Sequence, residues 1–306
     1  GMMPSPLDSG VIGGEPGDGG TAPIGDAGSG ANPVDAAPEA AQGCLLDGRF
    51  ALKVMLDVTW VGTEFLNVIP VINEGQGELS FVVLVEMHET PAGVDSHFRA
   101  CSVSVPEFTS SLGERYQARF KDSIWDSPFM PVFSGVMQLS CHDPGCRIGG
   151  DPLVALIGAA LPSPNTAWPS NPAGGTWPDH DGDGEPGIAG YMLGPEDGNY
   201  AYPPVDLIFG RRVRDLMLGL RAVVGVQGSL DSCNELHGET PGSTIQTRAM
   251  GCLTATRPPR CSASELTFLN DNLPVWTVRQ GRFQAVRLEP GAECKDARQQ
   301  FAGKQP

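Results

Sequence analysis

The sequence predicts an all-β fold, an antiparallel barrel or sandwich of about nine or ten strands, and two observations lead to it. Several segments alternate apolar and polar residues at a period of two, as strands with one buried face do. The chain also has 40 glycines and 28 prolines but only 18% charged residues. That composition favours turns and strands over long helices.

The clearest strand lies in residues 50–60, where apolar side chains occupy every second position from Phe50 to Trp60. A second strand covers residues 79–87, although its middle is apolar on both faces. A turn then leads to a third strand at residues 98–105. Together these segments predict a meander of antiparallel strands with one wet face and one dry face.

The remaining alternation predicts further strands. They are expected at residues 115–120, 132–139, 205–209, 215–226 and 244–249. Residues 213–224 also fit a helical face. Gly219, Gly225 and the length of the alternation favour a strand there.

Two other stretches have a weaker pattern. Residues 154–161 are apolar and fit either a short helix or a strand. Residues 262–270 predict a short helix that precedes a final hairpin. The return strand of that hairpin is expected to carry Phe283, Ala285 and Arg287.

The composition divides the chain into a tether and a domain. Residues 1–43 contain eleven glycines, six prolines and six acidic residues, with no Lys, Arg, Cys or aromatic residue. This segment buries too little apolar surface to offset the entropy of ordering it, so a disordered acidic tether is expected. Residues 44–306 are expected to form a single disulfide-bonded β domain. Within it, the proline-rich residues 153–204 predict a long loop excursion.

The eight cysteines predict disulfides and an oxidising, extracytoplasmic compartment, because they are even in number and form no Cys-x-x-Cys pair. Short separations favour bridges between Cys141 and Cys146 and between Cys252 and Cys261. The alternative is a zinc site at Cys141, His142 and Cys146. A second pair of ligands at metal spacing is missing from the sequence, which weighs against zinc.

The charge excludes some classes of partner. A formal net charge of −16 argues against nucleic acid and against an anionic membrane surface. Arg211, Arg212 and Arg214 form a local basic cluster, which is interpreted as a solvated edge. The sequence has no apolar run of about 18 residues, so no transmembrane segment is expected.

One segment has a specific chemical interpretation, the Asp loop. Asp179, Asp181 and Asp183 alternate and are followed by Gly184, which is the spacing of positions 1, 3, 5 and 6 of an EF-hand loop. Three carboxylates this close repel one another without a cation, and Ca²⁺ accepts six to eight oxygen ligands. The spacing predicts a structural Ca²⁺ held by the three aspartates and by the backbone carbonyl of Glu185.

The Asp loop departs from a complete EF-hand. Position 12, where the EF-hand has a bidentate Glu, is Gly190, and Pro186 opposes a following helix. The loop therefore resembles only the half-motif Asp-x-Asp-x-Asp-Gly, which also occurs in dockerin and thrombospondin type 3 loops. Glu196 or Asp197 is a candidate to complete the ligand shell. The alternative is an ordinary surface turn rich in Asp and Gly.

The Asp-Gly-Asp-Gly-x-Pro-Gly pattern that begins at Asp181, the acidic tether and the cysteine-rich β domain together resemble a group of bacterial proteins. These are the uncharacterised exported, lipoprotein-like proteins of soil and predatory bacteria such as the myxobacteria. The resemblance covers the style of the whole chain and depends on one short motif. It implies export and a lipid anchor ahead of the tether, and it brings no assigned activity.

Motifs of the common enzyme classes are missing from the sequence. It has no Gly-x-Ser-x-Gly elbow, no His-Glu-x-x-His and no Walker or dinucleotide glycine pattern. His88 and His97 flank one hairpin and are expected to form a polar pair on its wet face. His237 and Glu239 offer a base and a carboxylate, but nothing specifies a substrate. A pair of acids for glycoside hydrolysis stays an open alternative, because such carboxylates are often far apart in sequence.

Aromatic residues crowd around the Asp loop, although they make up only 7% of the chain. They are Trp168, Trp177, Tyr191, Tyr200 and Tyr202. An aromatic platform beside a Ca²⁺ site suits sugar or peptide binding, because flat rings offer rigid contact area. The alternative is that these rings cover a long loop that has little else to bury.

These observations predict an exported, surface-anchored, non-enzymatic binding or structural protein, with a glycan or a surface protein as its partner. One alternative is a secreted hydrolase, for example a glycan-directed one, which predicts a concave site where two acids or a His and an acid converge. Another is a carrier for an apolar ligand, which predicts an apolar lumen in the barrel.

Overall fold

The computed structural model describes residues 44–302 except 66–68, 110–112, 114, 143–144, 164–165, 169–176, 194–204, 209–210 and 256–258. The predicted tether, residues 1–43, lies outside the described residues. The strands, numbered in chain order, are β1 (Gly48–Trp60), β2 (Thr63–Phe65), β3 (Ile69–Ile72), β4 (Gly75–Thr90), β5 (Gly93–Ser104), β6 (Phe108–Thr109), β7 (Arg115–Phe120), β8 (Phe133–His142), β9 (Gly145–Gly150), β10 (Leu153–Ile157), β11 (Ile188–Leu193), β12 (Val205–Ile208), β13 (Arg211–Val224), β14 (Gln227–Ser232), β15 (Glu235–Glu239), β16 (Thr244–Thr254) and β17 (Trp276–Arg287). The helices are α1 (Asp122–Trp125), α2 (Ala263–Asn272) and α3 (Cys294–Phe301).

Eight strands close an antiparallel barrel in the order β1, β17, β15, β14, β9, β8, β5 and β4. The predicted all-β antiparallel fold is therefore confirmed, and of the two architectures left open, barrel or sandwich, this sheet is a barrel. In β1 the inward side chains of Leu52, Val54 and Leu56 are buried, whereas the intervening Lys53 and Met55 are half-buried. Closure leaves no free edge in this sheet, because each strand pairs with two neighbours.

Helix α3 covers part of the outer face of the barrel. It forms a small apolar cluster with residues of β1 and β5, namely Ala51, Cys101, Cys294, Ala297 and Phe301. Val82 and Leu84 of β4 pack against this cluster. The middle of β4 is apolar on both faces for this reason: one face lines the barrel and the other lies under α3.

Seven further strands form a second, curled sheet whose central strand is β13. Antiparallel pairing joins β13 to β10, β11, β12 and β16. Residues 213–224 are thus strand, as the glycines and the alternation favour, and the helical alternative is wrong. Strands β10 and β11 lie within the predicted loop excursion, residues 153–204, so part of it is sheet that takes its backbone hydrogen bonds from β13.

The two sheets bury their apolar faces in one core. It contains residues of the barrel, such as Phe50 and Phe81, together with residues of the second sheet, such as Leu216 and Leu218. Two cavities remain in this core, with volumes of about 70 Å³ and about 130 Å³. Leu220 of β13 lines both of them, so they are neighbours within the same apolar interior.

The C-terminal part of the chain differs from the prediction at one point. Helix α2 forms where it was expected and begins with a capping box between Ser262 and Glu265. The predicted final hairpin is wrong, because residues 276–287 form the single strand β17. Gly281 lies inside this strand, and a Cβ atom there would lie 2.5 Å from the Leu56 side chain. That glycine permits a close approach rather than a turn. The structure also has more strands than the nine or ten expected, since short strands show little alternation.

All eight cysteines are paired, as an oxidising compartment favours. The predicted bridges Cys141–Cys146 and Cys252–Cys261 are both present. The zinc alternative is therefore wrong, because the two thiols it needs are joined to each other. Two long-range bridges, Cys44–Cys233 and Cys101–Cys294, span 189 and 193 residues. Within the described residues, no helix has the length and apolar character needed to cross a bilayer.

Candidate functional site

The Asp loop is closed by its own backbone. Gly187 N donates to the Pro178 carbonyl at 2.9 Å, and His180 N donates to the Gly187 carbonyl at 3.2 Å. Between these ends the chain turns through Gly182 and Gly184, whose φ angles are 78° and 86°. Such left-handed conformations carry little steric cost for glycine, which explains the Asp-Gly-Asp-Gly pattern.

Side chains at three positions hold the Asp loop to its surroundings. His180 Nδ1 accepts a hydrogen bond of 2.8 Å from the backbone N–H of Gly158, just after β10. The N–H of Ala189 in β11 donates to Asp181 Oδ2 at 2.7 Å. Glu185 forms an ion pair of 2.5 Å with Arg260. The second sheet and its connections thereby determine where the aspartates lie.

The structure brings the three predicted aspartates together. One carboxylate oxygen each from Asp179, Asp181 and Asp183 lies within 4.8 Å of the other two. Backbone N–H groups of the loop organise them: Gly182 and Gly184 donate to Asp179 at 2.7 and 2.8 Å. The carboxylates therefore converge on one point because the loop curls around them.

The three carboxylates repel one another, and one oxygen of Asp181 has no hydrogen-bond donor. Burial raises the pKa of Asp181 to about 6, against the hydrogen bond from Ala189. The charges of Asp183 and Asp179, and the hydrogen bond that a protonated Asp181 makes to Asp179, add to the rise. Burial also opposes ionisation of Asp179, but loop N–H groups hold its pKa below the usual value. Asp181 Oδ1 is buried and has no hydrogen-bond partner. A cation at this point would satisfy that oxygen and remove the repulsion among the carboxylates.

The residue types and spacing fit Ca²⁺ better than a transition metal, because all the side-chain donors are carboxylate oxygens. Of the predicted ligands, Glu185 uses its side chain for Arg260, which leaves its carbonyl as the atom assigned to the metal. Glu196 and Asp197, the candidates to complete the shell, lie outside the described residues. Burial lowers the pKa of His180, against the charge of Asp179, so this residue remains a neutral hydrogen-bond acceptor.

The predicted aromatic surface is divided. Trp168 and Trp177 pack against a small buried cluster of the second sheet formed by Ala159, Met217 and Met250. Trp168 Nε1 also donates to Gln246 Oε1 at 3.1 Å, so this ring has both a packing and a hydrogen-bonding role.

Tyr191 lies in β11, opposite Asp215 on one side and Arg119 on the other. Tyr200 and Tyr202 lie outside the described residues. The two tryptophans thus cover buried side chains of the second sheet, and a ligand surface made of all five rings stays a prediction.

The histidines show one arrangement that sequence reasoning missed. The acid beside His237 is Asp231, whose Oδ2 lies 2.6 Å from His237 Nδ1, and not the predicted Glu239. Ser229 Oγ lies 3.5 Å from His237 Nε2. The register of β14 and β15 produces this set, since Ser229 is paired with His237. Alternating residues of the same hairpin, Leu230 and Leu236, are buried, which places the set on the outer wall of the barrel.

His88 and His97 are not directly opposite each other across the hairpin. In the β4–β5 register, His88 lies opposite Asp95 and His97 lies opposite Glu86. Both are exposed and have polar neighbours, since His97 Nδ1 lies 2.9 Å from Ser134 Oγ. Both side chains lie on the solvent-exposed face of the β4–β5 hairpin.

Comparison of the chain with protein-family models, with curated proteins and with solved structures gives no match.

Proposed function

We propose that this chain is an exported, non-enzymatic binding or structural protein whose Asp loop holds a structural Ca²⁺. The observation that carries the calcium proposal is the buried Asp181 Oδ1, which has no partner within a cluster of three converging carboxylates. The ion would join β10, β11 and the connection between them, since Asp181 bonds Ala189 and His180 bonds Gly158. Its role in this proposal is to order the loop.

Export and surface attachment are supported by the paired cysteines and by the composition of residues 1–43. Four disulfides favour an extracytoplasmic compartment. An acidic Gly/Pro-rich tether suits a domain held at a distance from a bacterial cell surface by a lipid anchor. A glycan or a surface protein is the proposed partner. Alkylation without reductant tests the compartment, because labelling of the cysteines as free thiols would contradict it.

Chelation tests the calcium proposal. EDTA should lower the melting temperature and expose residues 153–204 to protease, and Ca²⁺ should restore both. At a free Ca²⁺ concentration of one hundred times its Kd, binding should raise the free energy of unfolding by about 2.7 kcal/mol. The variant Asp181→Asn should lose this response and melt higher than the wild type in EDTA, because one buried carboxylate is removed from the cluster.

The matched control is Asp151→Asn, an exposed aspartate just before β10, which should keep the full response to Ca²⁺. An identical melt and digest with and without EDTA would refute the structural ion. A calcium response that survives in Asp181→Asn would place the ion elsewhere.

The second candidate function is a secreted hydrolase, and the Ser229, His237 and Asp231 set favours it, because a serine, a base and an acid lie in line. Two features weigh against it. The set stands on the outer barrel wall with His237 and Asp231 about half exposed. Strand β14 also pairs on both edges, with β9 and β15, so its backbone N–H groups serve the sheet rather than an oxyanion. A fluorophosphonate probe separates the classes, since a hydrolase of this type would be labelled at Ser229.

A further inference from the structure

The larger cavity has the size and walls of a small-molecule site. Its volume is about 130 Å³, and it lies between the second sheet, helix α2 and the start of β17. Four aromatic side chains line it, namely Phe108, Tyr116, Phe120 and Trp276. An apolar cavity of about 150 Å³ is large enough to hold one benzene ring. This void is slightly smaller, at about 130 Å³, so a single ring is the upper limit of the ligand's size.

Two polar groups in the cavity wall lack partners. Asn272 is only 8% exposed, and its Nδ2 donates to the Phe268 carbonyl at 2.8 Å, which specifies how the amide is oriented. Its Oδ1 is left as a buried acceptor without a donor. Trp276 Nε1 is a buried donor without an acceptor. Two of the residues that line the cavity thus carry one buried acceptor and one buried donor without a partner.

Asn270, two residues earlier in α2, shows that this helix does not require an unpaired amide. Asn270 Oδ1 accepts from Ala249 N at 2.8 Å, while its Nδ2 donates to the carbonyls of Ala249 and Leu266 at 3.0 and 2.9 Å. Asn270 is thus a fully bonded structural residue. Asn272 is equally buried and belongs to the cavity lining, but its Oδ1 has no donor, and an unpaired atom of this kind requires an explanation.

We propose that this cavity binds a small aromatic molecule that carries one hydroxyl group, a phenol-type ligand. A hydroxyl is the smallest group that both donates, as Asn272 Oδ1 requires, and accepts, as Trp276 Nε1 requires. The ring would pack against the aromatic walls in edge-to-face or offset contacts. This proposal deepens the binding role proposed above by naming a ligand class, and it does not depend on the ion in the Asp loop.

Titration calorimetry with phenol, toluene and cyclohexanol tests the proposal. Phenol should bind at least tenfold more tightly than toluene, which has the same shape but no hydroxyl group. Cyclohexanol should bind more weakly than phenol because its ring is not aromatic. In Asn272→Leu the preference for phenol over toluene should disappear while the protein still melts cooperatively. Trp276→Phe should reduce the same preference. It replaces Asn272→Leu as the test if that variant does not fold.

Two control variants complete the experiment. Asp271→Asn, an exposed neighbour on α2, should keep the phenol preference. Ala118→Leu, which fills the cavity from β7, should abolish binding of both aromatic probes. The proposal is overturned if phenol and toluene bind equally to the wild type, if neither binds, or if the preference survives in Asn272→Leu.

The ligand proposal and the calcium proposal fail separately. The phenol titration is repeated in EDTA at a temperature below the transition, where the cavity residues stay folded. If EDTA has no effect on melting, the calcium proposal fails, while the preference for phenol over toluene is still expected. Loss of the phenol preference would leave the calcium response of the Asp loop intact.

Discussion

The barrel and the second sheet are both antiparallel but differ in how their strands are paired. Each barrel strand pairs with two neighbours along a closed ring, and both long-range disulfides begin in or beside it. In the second sheet, β13 is shared by four partners, and three of them are short. The larger cavity and the Asp loop both lie against this second sheet.

The two regions also differ in their cavities. The barrel cavity is the smaller one, about 70 Å³, and the one polar residue in its wall is Thr240. Buried polar atoms without a partner occur in both regions. Thr240 Oγ1 and Arg99 Nε belong to the barrel, whereas Asp181 Oδ1 and Asn272 Oδ1 lie beside the second sheet. The two regions therefore differ in strand pairing and in cavity size, and each leaves some buried polar atoms that an ion or a ligand would satisfy.

The largest expected effect is the loss of stability when a disulfide is removed. Removing Cys101–Cys294 by a double Cys→Ala change should lower the free energy of unfolding by about 5 kcal/mol, because the bridge closes a loop of 193 residues. The matched change at Cys252–Cys261, with a separation of 9, should cost about half as much. Chemical denaturation under non-reducing conditions measures both. Equal losses would show that loop length does not determine the contribution of these bridges.

The next effect compares two asparagines beside the second sheet. Asn270→Leu leaves the N–H and C=O of Ala249 unpaired in the core, and should cost about 2–4 kcal/mol. Asn272→Leu removes an unpaired oxygen together with one hydrogen bond, to the Phe268 carbonyl, and should cost only about 1 kcal/mol. Urea unfolding of both variants measures the two values. A loss for Asn272→Leu as large as that for Asn270→Leu would mean that its oxygen also has a structural partner.

The pH dependence of the calcium response tests the Asp loop. The folded-state pKa of Asp181 is raised from 3.8 to about 6, so without metal this group favours the folded state below pH 4 and loses that contribution as the pH rises through 6. Calcium binding has the opposite sign, because it requires the carboxylate. The increase in melting temperature caused by Ca²⁺ should therefore be small at pH 5 and full at pH 7.5. A response independent of pH would contradict a role for Asp181.

The smallest effect concerns the ion pair between Glu185 and Arg260. The Arg260 side chain is 68% exposed, so Arg260→Gln should cost less than about 1 kcal/mol. Its effect on melting should also shrink at high salt, because exposed pairs are screened. Differential scanning calorimetry at low and high salt checks this. A larger loss of stability would indicate that this ion pair holds the Asp loop in position.

Much of the barrel and of the candidate site could be predicted from spacing. Alternation in residues 50–60 identifies β1, since a period of two places one face in the core. The Asp-Gly pattern identifies the Asp loop, because alternate carboxylates converge only when the chain curls. The final hairpin could not be predicted correctly, because a glycine inside a strand and a glycine in a turn look alike in sequence.

The strand class, the two short disulfides and the three converging aspartates could be predicted because they depend on residues close together in the chain. The pairing of cysteines across 189 and 193 residues, the contact of Asp231 rather than Glu239 with His237, and the unpaired oxygen of Asn272 depend on the three-dimensional packing. Local spacing determines which neighbours share a face. Register and packing determine which distant groups meet, and no short-range pattern records them.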